Sequence, residues 1–79
     1  MQDQELIDFI KKADKAFTSV DLDGDGRHFT VRIISESFLG LSNLKRQQKV
    51  LSYLTPLIQS GKLHAINVIA LTNEEFQQT

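Results

Sequence analysis

A single stretch limits the folds open to this chain. Between Leu44 and Ile58, the residues Leu44, Val50, Leu51, Tyr53, Leu54, Leu57 and Ile58 fill one arc of a helical wheel. Lys45, Gln48, Lys49, Ser52, Thr55, Pro56 and Gln59 fill the opposite arc. No other segment is long enough to cover a sheet, so the remaining elements must be arranged around this helix. Ser42 is its expected N-cap and Gly61, directly after Ser60, its stop. Pro56 removes a backbone donor on the polar arc and predicts a bend. Gln47 falls in the middle of the apolar arc, where a polar side chain needs a partner. A hydrogen bond to backbone near Phe38–Gly40 is the expectation.

The shorter elements follow from their own periodicities. Leu6, Ile7, Ile10, Ala13 and Phe17 predict a first helix over 4–15, with Asp3 as N-cap and Lys11, Lys12 and Lys15 late, where they favour the helix dipole. Thr18, Val20 and Leu22 alternate with polar residues, as do Phe29, Val31 and Ile33, giving two strands. Asp23-Gly24-Asp25-Gly26 between them is a turn, so the pair is a hairpin. Ser35–Gly40 reads as an irregular connection into the long helix. After Gly61, Ile66, Val68 and Ala70 face one way along a third strand, and Ala65, Asn67, Ile69 and Leu71 face the other. Thr72-Asn73-Glu74-Glu75 has the form of a capping box opening a short helix that tucks in Phe76.

The order is helix, strand, strand, helix, strand, short helix. A helical crossover makes the third strand parallel to the second. The expected fold is therefore α+β: a two-layer sandwich on a three-stranded mixed sheet, with both main helices on the face carrying Val20, Leu22, Phe29, Val31, Ile33, Ile66 and Val68. Residues 1–79 form one domain. His28 precedes the second strand and His64 the third. Adjacent parallel strands bring these two histidines, the chain's full complement, to one edge of the sheet. A single strand-start histidine is more often structural than ligating. Two at one edge leave a metal short of the usual four ligands, so a partner would have to complete the site.

Composition closes off other chemistry. The chain has no cysteine, which excludes disulfides and any thiolate cage made by this chain alone. The N-terminal Met1-Gln2-Asp3-Gln4-Glu5 is polar and acidic, unlike a signal peptide, and no apolar run would span a bilayer. A soluble cytoplasmic protein is expected. Asp21-Leu22-Asp23-Gly24-Asp25-Gly26 resembles half a calcium-binding loop, but Arg32 stands where the bidentate Glu should be and the flanks read as strands. No nucleophile–histidine pair and no phosphate loop is present, so catalysis finds no support.

Net charge is −1, yet the distribution is uneven. From Ser37 through Asn73 there is no Asp or Glu, while Lys45, Arg46, Lys49 and Lys62 are present. These residues either solvate a helix face or meet an acidic partner or nucleic acid.

The segments Gly24-Asp25-Gly26-Arg27-His28-Phe29, Phe38-Leu39-Gly40, Lys45-Arg46-Gln47-Gln48-Lys49-Val50, Leu63-His64-Ala65 and Leu71-Thr72-Asn73-Glu74-Glu75-Phe76 together resemble the BolA family, in its short bacterial YrbA-type branch. The resemblance covers nearly the whole chain from the first strand onward. It implies a class II KH-like fold without the GXXG loop, and a non-enzymatic protein that pairs with a monothiol glutaredoxin of the CGFS type. It also implies a [2Fe-2S] cluster shared with glutaredoxin and glutathione thiols. In the family the histidine matching His64 is the constant ligand, and a second comes from the loop between the first two strands, for which His28 is the candidate. Alone, the chain would be a monomer or weak homodimer. Many relatives carry His-Arg where this chain has Gln47-Gln48, so no role of that histidine transfers. The family also includes DNA-binding regulators of stress or morphology genes. That alternative would use Lys45, Arg46 and Lys49, with Lys62, against phosphates.

Overall fold

The computed structural model describes residues 2–24 and 28–78. Its elements are α1 (Asp3–Ala13), β1 (Ser19–Gly24), β2 (His28–Ile34), a 3-10 turn (Glu36–Phe38), α2 (Asn43–Gln59), β3 (Ala65–Leu71) and α3 (Asn73–Gln77). The sheet order is β1-β2-β3. β1 lies antiparallel to β2 with Val20 opposite Ile33, and β3 lies parallel to β2 with Val31 opposite Val68. This is the expected mixed sheet. Val20, Phe29, Val31, Ile33, Val68 and Ala70 are buried on one face, in one cluster with Leu6 and Ile10 of α1 and Val50, Leu54 and Leu57 of α2. Among the described residues no helix is long and apolar enough to cross a membrane.

Local departures from the expected boundaries have physical causes. Gln2, not Asp3, is the N-cap of α1, without a side-chain bond, and Asp3 lies in the first turn, where its charge suits the helix dipole. The helix ends at Ala13 rather than at 15 because Asp14 turns to extended backbone. Its carboxylate accepts hydrogen bonds from the Ala16 amide and, at 3.0 Å, from the Tyr53 hydroxyl. Burial of the ring, and then the neighbouring Asp14 carboxylate, raise the Tyr53 pKa above its ordinary value. Phe17 is buried but beyond the helix, its ring against Phe38 and Tyr53. β1 runs through Gly24, and the rest of the expected turn, Asp25 and Gly26, lies outside the described residues.

The long helix is as read, with two corrections. The Ser42 hydroxyl accepts from the Lys45 amide, and the helix passes through exposed Pro56 before ending. Gly61, at φ +80°, stops it: the Gly61 amide reaches the Ile58 carbonyl and the Lys62 amide the Leu57 carbonyl, a Schellman arrangement. The first correction concerns Leu44 and Ile58, which are 66% and 40% exposed. At 3.6 residues per turn Leu44 points roughly 110° away from Val50, Leu54 and Leu57, past the margin of the buried face. The second concerns Gln47. Its Nε2 donates to the Val68 carbonyl at 2.6 Å, not to backbone near Phe38–Gly40. The capping box at Thr72–Glu75 is present, but Phe76 stays 40% exposed, with the Arg32 guanidinium over its ring.

Candidate functional site

The starts of β2 and β3 are joined by their pairing. His28 is opposite Ala65, so His64 stands one residue outside the register, at the same end of the sheet. Two local devices place them. After Gly61 reverses the chain, the Leu63 amide bonds the Leu57 carbonyl and its side chain, 1% exposed, is anchored in the core. His64 is thereby presented to solvent between that anchor and the first strand residue. On the other strand, Phe29 is 3% exposed and holds His28, also exposed, just outside it. Gly24 permits the close approach: a Cβ there would strike the His28 carbonyl and come within 2.9 Å of the Phe29 ring.

The two histidines are presented differently. His28 alternates with Phe29 and belongs to the open face of the sheet, whereas His64 precedes β3 and is exposed beside the buried Leu63. A depression of about 260 Å³ opens beside His28, lined by Phe29, Thr30, Ala65, Ile66 and Asn67. Among the described residues no group of three or more His, Cys, Asp or Glu side chains could hold a metal. What this edge offers is two exposed imidazoles, nitrogen donors that suit iron and that can replace two cysteines of a [2Fe-2S] centre. The remaining ligands must come from outside. The donor set fits a shared cluster and not a self-contained one.

The basic residues fare differently from one another. Arg46 is built into the fold. Its Nε donates to the Leu41 carbonyl at 3.0 Å and its Nη1 to the Ala70 carbonyl at 3.1 Å. Nη1 and Nη2 also meet Glu75 at 2.6 and 3.2 Å, a two-pronged ion pair. Its side chain is 12% exposed, which leaves little for a partner. Lys49 approaches Asp14 at 3.9 Å, and Lys45 and Lys62 are exposed. Lys45 and Lys62 lie at opposite ends of α2, about 20 Å apart along its axis. Sequence reading assigned these four as one group; the structure divides them. It also missed Glu75 as the partner of Arg46, because the capping box already accounts for that carboxylate and only topology brings α3 beside α2.

Comparison with known proteins agrees with the fold. A family model described as BolA-like protein matches residues 8–75. The acid stress protein IbaG of Escherichia coli K12 is 33% identical over 76 residues, covering 96% of this chain and 89% of its own. A bolA protein homologue from Coxiella burnetii superposes with a TM-score of 0.86 at 23% identity, over 98% of this chain and 97% of that one. The BolA domain of SufE1 from Arabidopsis thaliana gives 0.79 at 24% identity, over 95% and 98%. At these identities the two structures speak to the fold alone.

Proposed function

The chain belongs to the BolA-like family, and on that premise we propose that it is a non-enzymatic accessory protein of cytoplasmic iron–sulfur metabolism. In this reading it binds a monothiol glutaredoxin of the CGFS type and contributes His64, with His28, to a [2Fe-2S] cluster held between the two proteins. The observation that supports it most is the pairing of His28 with Ala65, which draws both imidazoles to one exposed end of the sheet. A cysteine-free chain can supply nitrogen ligands there but no thiolate. The partner and glutathione would bring the sulfur. Lys62, at the same end of α2, suits the carboxylates of glutathione or an acidic partner surface.

Co-purification with a CGFS glutaredoxin and glutathione tests the proposal. Visible charge-transfer bands that differ from those of the glutaredoxin alone are expected, and His64→Ala should change or abolish them. A complex without visible bands, or with bands unchanged by His64→Ala, would refute it. The DNA-binding alternative loses support from the engagement of Arg46 with Glu75 and from the separation of Lys45 from Lys62. A phosphate-led site needs several free cations on one surface.

A further inference from the structure

The sheet has two edges, and the fold treats them differently. On β3 the outward carbonyls of Val68 and Ala70 are taken by the Gln47 and Arg46 side chains. On β1 the outward groups have no such cover. The Ile34 carbonyl accepts from the Thr18 amide, so the backbone of Ile34 faces β1. Residues of an antiparallel pair alternate between bonding towards the partner strand and pointing away from it. Ser19, Asp21 and Asp23, opposite Ile34, Arg32 and Thr30, therefore bond towards β2, and Val20 and Leu22 turn their amides and carbonyls outward. Among the described residues nothing bonds to these outward groups, and no strand pairs on that side.

The open edge also has a sign. Val20 is buried and Leu22 partly buried on the helix-covered face, while Asp21 and Asp23 are exposed on the open face. Neither carboxylate has an ion pair among the described residues. Arg32 stands opposite Asp21, but its guanidinium lies over the Phe76 ring at 5.5 Å from the centroid. Asp21, Asp23 and Arg32 line a depression of about 210 Å³ with Thr30 and Ile69, two carboxylates to one guanidinium. Charges on an edge strand discourage pairing in general, but these discourage it selectively. A second copy added antiparallel about Asp21 or Leu22 would set Asp21 opposite another Asp21 or Asp23. Like charges directly opposite destabilise a sheet. A strand carrying cations at those positions meets no such obstacle.

We propose that the β1 edge accepts an extended segment of another protein, with Lys or Arg at alternate positions beside Asp21 and Asp23 and apolar residues between them beside Val20 and Leu22. Main-chain bonds to Val20 and Leu22 supply the affinity, and the alternation of side chains supplies the selection. The proposal does not rest on the cluster reading, since β2 separates β1 from the strand that His64 precedes. A nucleic acid is the poorer occupant, because the two carboxylates repel its phosphates.

The test is a titration of the full ¹⁵N-labelled chain with two synthetic eight-residue peptides. Both carry valine at alternate positions, with lysine between the valines in one and glutamate in the other. Amide shifts centred on residues 19–24 are expected with the lysine peptide, and binding about tenfold weaker with the glutamate peptide. The Val20 and Leu22 amides should gain protection from hydrogen exchange in the complex, which a side-chain charge contact alone would not give. Asp21→Lys with Asp23→Lys, both at exposed positions, should reverse the preference between the peptides at unchanged melting temperature. No shifts with either peptide, shifts mapping elsewhere, binding without new protection at Val20 and Leu22, or a preference unmoved by the double substitution would overturn the proposal. So would shifts of residues 19–24 on simple dilution of the chain, which would make a second copy the occupant.

Discussion

Gln47 and Arg46 are neighbours on α2, and they satisfy alternate carbonyls of β3, those of Val68 and Ala70. The intervening register explains why. The Leu71 carbonyl accepts from the Ser35 amide on the β2 side, so Val68 and Ala70 turn their carbonyls to the open edge. The polar residue that disturbs the apolar arc therefore guards an edge strand that would otherwise invite pairing. Glu75 completes the group, and its carboxyl is pulled from 4.5 to about 2, first by the hydrogen bonds from Arg46 and then by the Thr72 amide. A depressed carboxyl stabilises the fold above its unfolded pKa and loses that contribution as pH falls through the folded value. Between pH 4.5 and about 2 the native chain should thus lose stability faster than Glu75→Gln, and the gap between them should close. Urea unfolding followed across that range measures it. Parallel slopes for the two proteins would contradict the assignment.

At the scale of elements, the junction from α2 to β3 connects the packing of the core to the placement of His64. Helix periodicity and the glycine stop were legible in the sequence, and the structure gives the stop its mechanism in the two backbone bonds around Gly61. A left-handed residue with a side chain costs about 1–2 kcal/mol, and at Gly61 a Cβ would meet no neighbour, so strain is the whole cost. Gly61→Ala should lower stability by about that amount, read by denaturant unfolding, while Gly61→Asn should lose less. The exposure of Leu44 lies in its angle, roughly 110° from Val50, Leu54 and Leu57, and an apolar arc drawn wide enough to include it hides that.

At the scale of the molecule, one core of buried side chains from α1, α2 and the sheet carries the stability of a chain of 79 residues. Domains of this size have little to spare. Leu54 is fully buried at the centre of α2, and Leu54→Ala should cost about 2–5 kcal/mol; a thermal melt showing a small shift would mean that the core tolerates a cavity. The alternation of strand residues, the amphipathic arc of α2, the glycine stop and the capping box are local patterns, and they determined the elements, their order and the parallel crossover. They also placed two histidines at one sheet edge, because chain direction follows from the order of elements. The tertiary structure alone decided which polar groups meet across that order. Arg46 turned from an apparent partner contact into a brace for Glu75, and Gln47 found Val68 rather than the nearby loop. These pairs are separated by 29 and 21 positions. No periodicity reaches that far, since such contacts depend on how the helix is set on the sheet.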